Sequence, residues 1–338
     1  MVCCFGELLL RFSPQMNGKF IKHAAMPVFV GGAELNVATA LSKWKQPVKY
    51  VTALPDNNLA KEIIENIAGK NIVVKDINIS GERIGTYYLP QGSDLKNNAV
   101  IYDRNSSSFA NLQPGDIDWD IVFEGVDWFH FSAISPALNE QAAVVCLEAV
   151  KAASAKKITV SVDLNYRAKL WQYGKQPLDV MPQLIKYCDV VMGNIWAAEK
   201  LAGIKLSHGF DALSGNKELY VEEAFISAAA LMKQYPTCKT VANTFRFDDG
   251  DEGIKYFATI NNKNEKQFSS TYSTKKVIDK IGSGDCFMGG LIYGLKNNYT
   301  SQGIIDFAAA AAFAKLQQKG DATTSQVEDV KKIIIANE

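Results

Sequence analysis

From about Tyr50 onward, strand-like and helix-like segments alternate along the chain, once the stretch between Ile72 and Leu112 is set aside. Nothing else in the sequence restricts the fold so strongly, because this rhythm is that of a mostly parallel sheet with helices on both faces. Leu59, Ile63, Ile64 and Ile67 recur at helical spacing within residues 57–70, after the strand-like VKYVTAL (48–54) and a Pro55-Asp56 turn. Short β-rich runs follow as WFHFS (128–132), ITVSVDL (158–164), DVVMGN (189–194) and KTVANTF (239–245), separated by helical stretches such as 140–153. They are expected to be buried parallel strands.

A length of 338 residues suits one large α/β domain or two smaller ones, at roughly 100 to 200 residues per domain. With 36 basic and 36 acidic side chains the formal charge is zero, so nothing attracts nucleic acid or an anionic membrane in general. A local basic pocket can still hold an anion, and a small-molecule substrate is expected. Glu7 and Arg11 interrupt the apolar start and no basic segment precedes it, unlike a signal peptide; no apolar run approaches the roughly 18 residues of a membrane span. The six cysteines are scattered without a CxxC or a Cys/His cluster, so no metal site is expected and a reducing cytoplasm is the simplest setting.

Two segments leave the α/β rhythm. Residues 9–30, and 77–102 with the run ERIGTYYLPQGSDLKNNAVIYDR, read as strand, Gly/Asn turn, strand, which is the pattern of antiparallel hairpins. A small sheet projecting over a cleft is a candidate lid, and an edge extension of the main sheet is the alternative.

The most informative motif is Asp279-Lys280-Ile281-Gly282-Ser283-Gly284-Asp285, which runs into the apolar, glycine-containing helix expected over residues 288–296. Backbone N–H groups at a glycine-rich turn opening a helix form an anion site, because unpaired donors and the helix dipole both favour negative charge. Phosphate is the natural guest. Asp285 falls where the dipole is expected to keep it ionised, ready to take a proton from a hydroxyl approaching a phosphoryl group. The alternative is a tight turn with Asp as N-cap. Phe287 stands where a dinucleotide fingerprint needs its third glycine, and no GxxxxGK[ST] loop occurs.

Two further segments carry chemistry. Gly31-Gly32 precedes a small-residue helix bearing Asn36, where the backbone can approach a substrate hydroxyl; close helix-to-sheet packing explains the glycines equally well and Asn36 poorly. Asp163-Leu164-Asn165-Tyr166-Arg167 lies at the carboxyl end of an expected parallel strand, the edge where open α/β sheets bind ligands.

In their order and separation these three segments resemble the ribokinase-like (PfkB) carbohydrate kinases, and the likeness spans nearly the whole chain. Within that family, DLNYRAKLW (163–171), VMGN (191–194), IGTYYLPQG and VIYDR look more like the 2-keto-3-deoxygluconate kinases than ribokinases or fructokinases. The resemblance implies a Rossmann-like three-layer α/β/α core of residues 1–9, 31–75 and 112–338, a β lid of residues 10–30 and 76–111, and a homodimer formed through the lids. It implies that Asp285 is the catalytic base and that the backbone of Gly282, Ser283 and Gly284 forms the anion hole. Gly32, Asn36, Tyr87, Tyr102, Arg104, Arg167 and Asp321 fall on substrate positions, and Asn165, Asn194 and Arg246 lie with Gly282 and Gly284 on the nucleotide side. Mg·ATP is the implied donor; a monovalent cation is a further candidate with no residues to assign to it.

The implied reaction is transfer of a phosphoryl group to the primary hydroxyl of 2-keto-3-deoxygluconate, giving the 6-phosphate. Residue chemistry supports a sugar acid, because Arg104 and Arg167 can pair bidentately with its carboxylate, whereas a neutral hexose gains little from them. For Arg167 a phosphate-facing role is the alternative, and for Tyr87 and Tyr102 it is packing. Two features depart from the family: Ala197 stands where many members carry a glutamate three residues after the Asn, and residues 243–247 replace a Gly-containing nucleotide loop. The rival readings are another sugar kinase of this fold, such as a fructokinase, and a sugar-sensing protein without turnover. The acidic run at 248–253 reads as a hairpin turn, and His23, His130 and His208 show no metal or triad signature.

Overall fold

The computed structural model describes residues 1–14, 26–90, 100–212, 215–250 and 252–337. Nine strands form the main sheet. From one edge the order is Val48–Val51, Val2–Phe5, Trp128–Ser132, Thr159–Asp163, Val190–Gly193 and Thr240–Asp248, all parallel, followed by the antiparallel strands Ile254–Asn262 and Lys266–Phe268. Tyr272–Thr274 also pairs with Ile254–Asn262. The expected buried strands are therefore present and parallel, and Thr240–Asp248 runs on into an antiparallel hairpin in which Asp248 pairs with Ile254. Asp251, in the acidic turn of that hairpin, lies outside the described residues.

Helices cover both faces because the strands are apolar on both. On one face Leu35, Val37 and Leu41 of helix Ala33–Lys43 pack with Phe287, Leu291 and Phe307. On the other, Val145 and Ala149 of helix Glu140–Ala155 join Met181, Leu184 and Leu201. Asparagines start many of these helices: Asn57, Asn139 and Asn194 each accept a backbone N–H three residues on. No helix among the described residues is long and apolar enough to cross a membrane.

The chain turns from Val2–Phe5 toward the Val48 edge and later returns to the other side through Trp128–Ser132. Those two strands flank the topological switch point, the crevice where open α/β sheets hold ligands. Glu34 fills its base: its Oε1 accepts the Ser132 N–H at 2.9 Å, and a Cβ on Gly6 would collide with its carboxyl group.

A separate four-stranded sheet has the order Val28–Gly31, Leu9–Phe12, Gly85–Tyr88, Ile101–Asp103. It joins two antiparallel hairpins through a parallel pairing of Leu9–Phe12 with Gly85–Tyr88. Residues 15–25 and 91–99, which include the turns expected there, lie outside the described residues. Register makes this sheet two-faced. Arg11 pairs with Phe29 and Tyr87, and Tyr87 with Tyr102, as one row; Phe12 pairs with Val28 and Tyr88, and Tyr88 with Ile101, as the opposite row.

Helices Ser283–Lys296 and Ser301–Leu316 approach so closely that a Cβ on Gly290 would lie 2.7 Å from the Cα of Ala308. This contact sets how the N-terminus of the first helix is aimed. Gly290→Val is expected to destabilise the protein by about 1–3 kcal/mol through overpacking, or more if the helices cannot separate. Urea unfolding measures this, and an unchanged midpoint would show that the approach tolerates a larger side chain.

Candidate active site

Helix Ser283–Lys296 starts at Gly282, whose φ of 76° is left-handed and whose Cβ, if present, would lie 1.7 Å from the Asp321 carbonyl oxygen. Only glycine fits there. No side chain caps this end, and the first intrahelical bond, Cys286 N–H to Gly282 O at 2.9 Å, leaves the N–H groups of Ser283, Gly284 and Asp285 ahead of the ladder. Gly284 faces open space, since a Cβ on it would meet nothing within 4 Å. The turn therefore offers donors to an anion that can approach without obstruction.

Asp285 is half-buried beside this turn, in the first turn of the helix, and Asn36 Nδ2 donates to its Oδ2 at 2.7 Å. Burial raises its pKa to about 6; the Asn36 bond and the Arg167 charge lower it, and Asp321 raises it. The dipole alone was expected to keep this group firmly ionised. Loss of water outweighs it, and the result is a carboxylate that is charged at neutral pH yet basic enough to take a proton. Burial likewise pushes Asp163 well up, with the Asp285 charge second, and moves Glu34 to about 7. Arg167 counters both Asp163 and Asp285.

Every residue assigned to the site by resemblance lines one cleft of about 610 Å³. On its sugar side, Tyr87 donates its hydroxyl to Asp321 Oδ2 at 3.2 Å, its ring lies 6.3 Å from that of Tyr102, and Gly32, with φ 136°, lets the backbone pass close to the Glu7 carbonyl. Asn36 Oδ1 is buried without a hydrogen-bond partner, as an acceptor awaiting a hydroxyl would be. Asn165, Arg167, Asn194 and Arg246 also line the cleft. Asn194 Oδ1 is engaged in capping helix Ile195–Ala202 through the Ala197 N–H at 2.8 Å, which leaves its amide NH₂ for a ligand.

The two arginines differ in a way sequence did not reveal. Arg104 is buried, and its Nε and Nη2 both donate to Glu7 Oε2, the former at 2.7 Å, while Ser107 donates to Glu7 Oε1. Its bidentate edge is occupied by an internal carboxylate, against the expectation that it would grip a substrate acid. Arg167 makes no ion pair among the described residues; Nη1 donates to the Tyr166 carbonyl at 3.1 Å. It is the arginine with capacity for an incoming anion.

Several residues escaped the sequence reading. Arg11 is almost fully buried and bridges Asp279 and Asp321 at 2.8 and 2.7 Å. Glu7, Glu34 and Lys315 are also buried. Charged residues inside apolar runs were their only signal, and Arg11 and Glu7 displayed it as interruptions of an otherwise apolar start. Trp196, Lys200, Tyr256 and Lys280 complete the lining and had no signal above background.

An open α/β sheet with a carboxylate in the first turn of an uncapped helix, beside a hollow lined by backbone donors, has the parts that phosphoryl transfer to a hydroxyl calls for. The sequence pattern of the pfkB family carbohydrate kinases matches residues 1–328. The chain is 26% identical over 330 residues to a 2-dehydro-3-deoxygalactonokinase of Haloferax volcanii, covering 98% of this chain and 95% of that one. The crystal structure of a 2-dehydro-3-deoxygluconokinase from Thermotoga maritima superposes with a TM-score of 0.88 at 33% identity over 99% of both chains. A fructokinase with bound ATP from Xylella fastidiosa shares the fold, with a TM-score of 0.75 at 19% identity over 99% of this chain and 98% of that one. The protein belongs to the pfkB family of carbohydrate kinases and is a sugar kinase.

Because a base works only when ionised, turnover should fall as pH drops through the Asp285 pKa of about 6 and level off above it. In Asp285→Asn, turnover should fall by about 10² or more and this acid limb should disappear. A pH–rate profile of both proteins checks it; an unchanged limb in the variant would assign the titration elsewhere.

Proposed function

We propose that the protein is an ATP-dependent kinase of 2-keto-3-deoxygluconate that transfers the γ-phosphoryl group to the C6 hydroxyl. The observation that carries this reading is the pairing of Asp285 with Asn36 at an uncapped helix start within the lined cleft. The sugar lies against Gly32, Asn36, Tyr87 and Asp321, with its primary hydroxyl at Asp285. Asp285 accepts the hydroxyl proton as the oxygen attacks in line, and the N–H groups of Ser283, Gly284 and Asp285 take up charge on the transferring oxygens. Positioning and electrostatics supply most of the acceleration, since phosphoryl transfer asks little covalent work of the protein.

The lining suits a triphosphate as well: Arg246, Lys200 and Lys280 bring three further positive side chains to the cleft. Mg²⁺ would enter with ATP and neutralise phosphate charge, and Ala197 would give it no carboxylate beside Asn194.

The small sheet is the lid. Its Arg11–Tyr87–Tyr102 row contributes Tyr87 and Tyr102 to the cleft. Its opposite row ends in Val28 and Ile101, 49% and 51% exposed, with Phe12 and Tyr88 stacked 5.2 Å apart between them. That apolar row supports a homodimer formed lid to lid. Sedimentation should give a dimer for the native chain and a monomer for Val28→Glu/Ile101→Glu; a native monomer at micromolar concentration would remove this part of the reading.

A fructokinase is the second reading, favoured by the occupation of Arg104 by Glu7. A coupled assay over 2-keto-3-deoxygluconate, its C4 epimer, gluconate, fructose and ribose separates the two. The sugar acid should lead, and Arg167→Ala should lower its kcat/KM by about 10- to 100-fold, the worth of a charge-assisted pair, with little effect on fructose. Equal losses for both substrates, or fructose as the preferred one, would shift the assignment to the second reading.

A further inference from the structure

The family resemblance leaves a monovalent cation open as a cofactor, and the oxygens behind the Gly282 turn do not fit one. Such an ion needs several oxygens free to replace its water. Asp279 already accepts from Arg11 Nη2 at 2.8 Å, from Gly320 N–H at 3.2 Å and from Ile281 N–H at 3.1 Å. Asp321 accepts Arg11 Nε at 2.8 Å and the Tyr87 hydroxyl at 3.2 Å. The Gln318 carbonyl accepts Lys315 Nζ at 3.1 Å.

Lys315 has no solvent exposure at all. It lies in the last turn of helix Ser301–Leu316, where the helix dipole favours a positive charge; burial lowers its pKa, and Asp279 and Asp321 oppose that fall. Through Gln318 it holds the loop that follows. The Gln318 side chain accepts the Thr324 N–H at 2.7 Å and donates to Ser325 Oγ at 2.7 Å, and between those anchors lies Asp321, whose carbonyl packs on Gly282. The charge also reaches Asp285, as one of the influences that keep it ionised.

We propose that Lys315 and Arg11 are built-in replacements for a monovalent cation behind the phosphoryl-binding turn, so that turnover needs no added potassium, and that Lys315 is a positioning residue for that turn. This rests on the kinase reading above, but not on which sugar is the acceptor. Turnover is measured with the best substrate of the panel in KCl, NaCl, NH₄Cl and tetramethylammonium chloride at equal ionic strength. The native enzyme should vary by less than about twofold, since only screening is shared among the salts. Lys315→Met should lose about tenfold or more in kcat through misplacement of the turn, and NH₄⁺ or K⁺ should restore part of it. Lys315→Arg should retain more activity than Lys315→Met, without cation response.

Strong activation of the native enzyme by K⁺ over tetramethylammonium overturns the proposal. So does a folded Lys315→Met with full kcat in tetramethylammonium, or one whose lost turnover no small cation restores. If Lys315→Met does not fold, the salt series on the native enzyme decides alone. Failure of the kinase reading looks different: no ADP release with any sugar in any salt.

Discussion

A single guanidinium ties the four-stranded sheet to the loops around the Gly282 turn. Arg11 comes from that sheet, and its partners, Asp279 and Asp321, lie 268 and 310 residues along the chain, on either flank of the turn. Breaking such a buried pair leaves an uncompensated charge and costs about 3–5 kcal/mol. The same bonds align Asp321 for Tyr87 and set its carbonyl against Gly282, so the Tyr87 wall of the cleft and the Gly282 turn are held by one group. Phe29 lies against the guanidinium at 4.3 Å, which keeps water from competing for it.

The electrostatics of the cleft follow from crowding negative groups where positive substrates are absent. Asp163 and Asp285 line the cleft and Glu34 lies near Asp285 without lining it; burial raises all three, and Arg167 opposes the rise at Asp163 and Asp285. Glu34 tolerates its position because the Ser132 N–H satisfies it at the switch point. Asp285 is left with an affinity for protons suited to removing one from an alcohol, and Arg246, Lys200 and Lys280 line the same cleft.

Much of this was legible in the sequence. Parallel strands such as Thr159–Asp163 and Val190–Gly193 announced themselves as short apolar runs, since burial on both faces leaves no room for polar alternation. The turn at Gly282 was visible because two glycines around one serine, followed by an aspartate, mark a tight turn opening a helix, although the same pattern left a simple N-cap role for the aspartate open. What stayed hidden depends on distance in space. No local pattern tells that Glu7 will seize the bidentate edge of Arg104, that Asn36 will reach Asp285, or that Lys315 will be buried rather than solvated on a helix end. Desolvation of Asp285 belongs to the same class, because the dipole can be read from neighbours and burial cannot.

The bond from Asn36 to Asp285 spans 249 residues, and Asp321 enters only near the end of a 338-residue chain. The cleft therefore draws on both ends of the chain. A copy ending short of residue 321 carries every strand of the two larger sheets yet lacks part of the lining that those strands support.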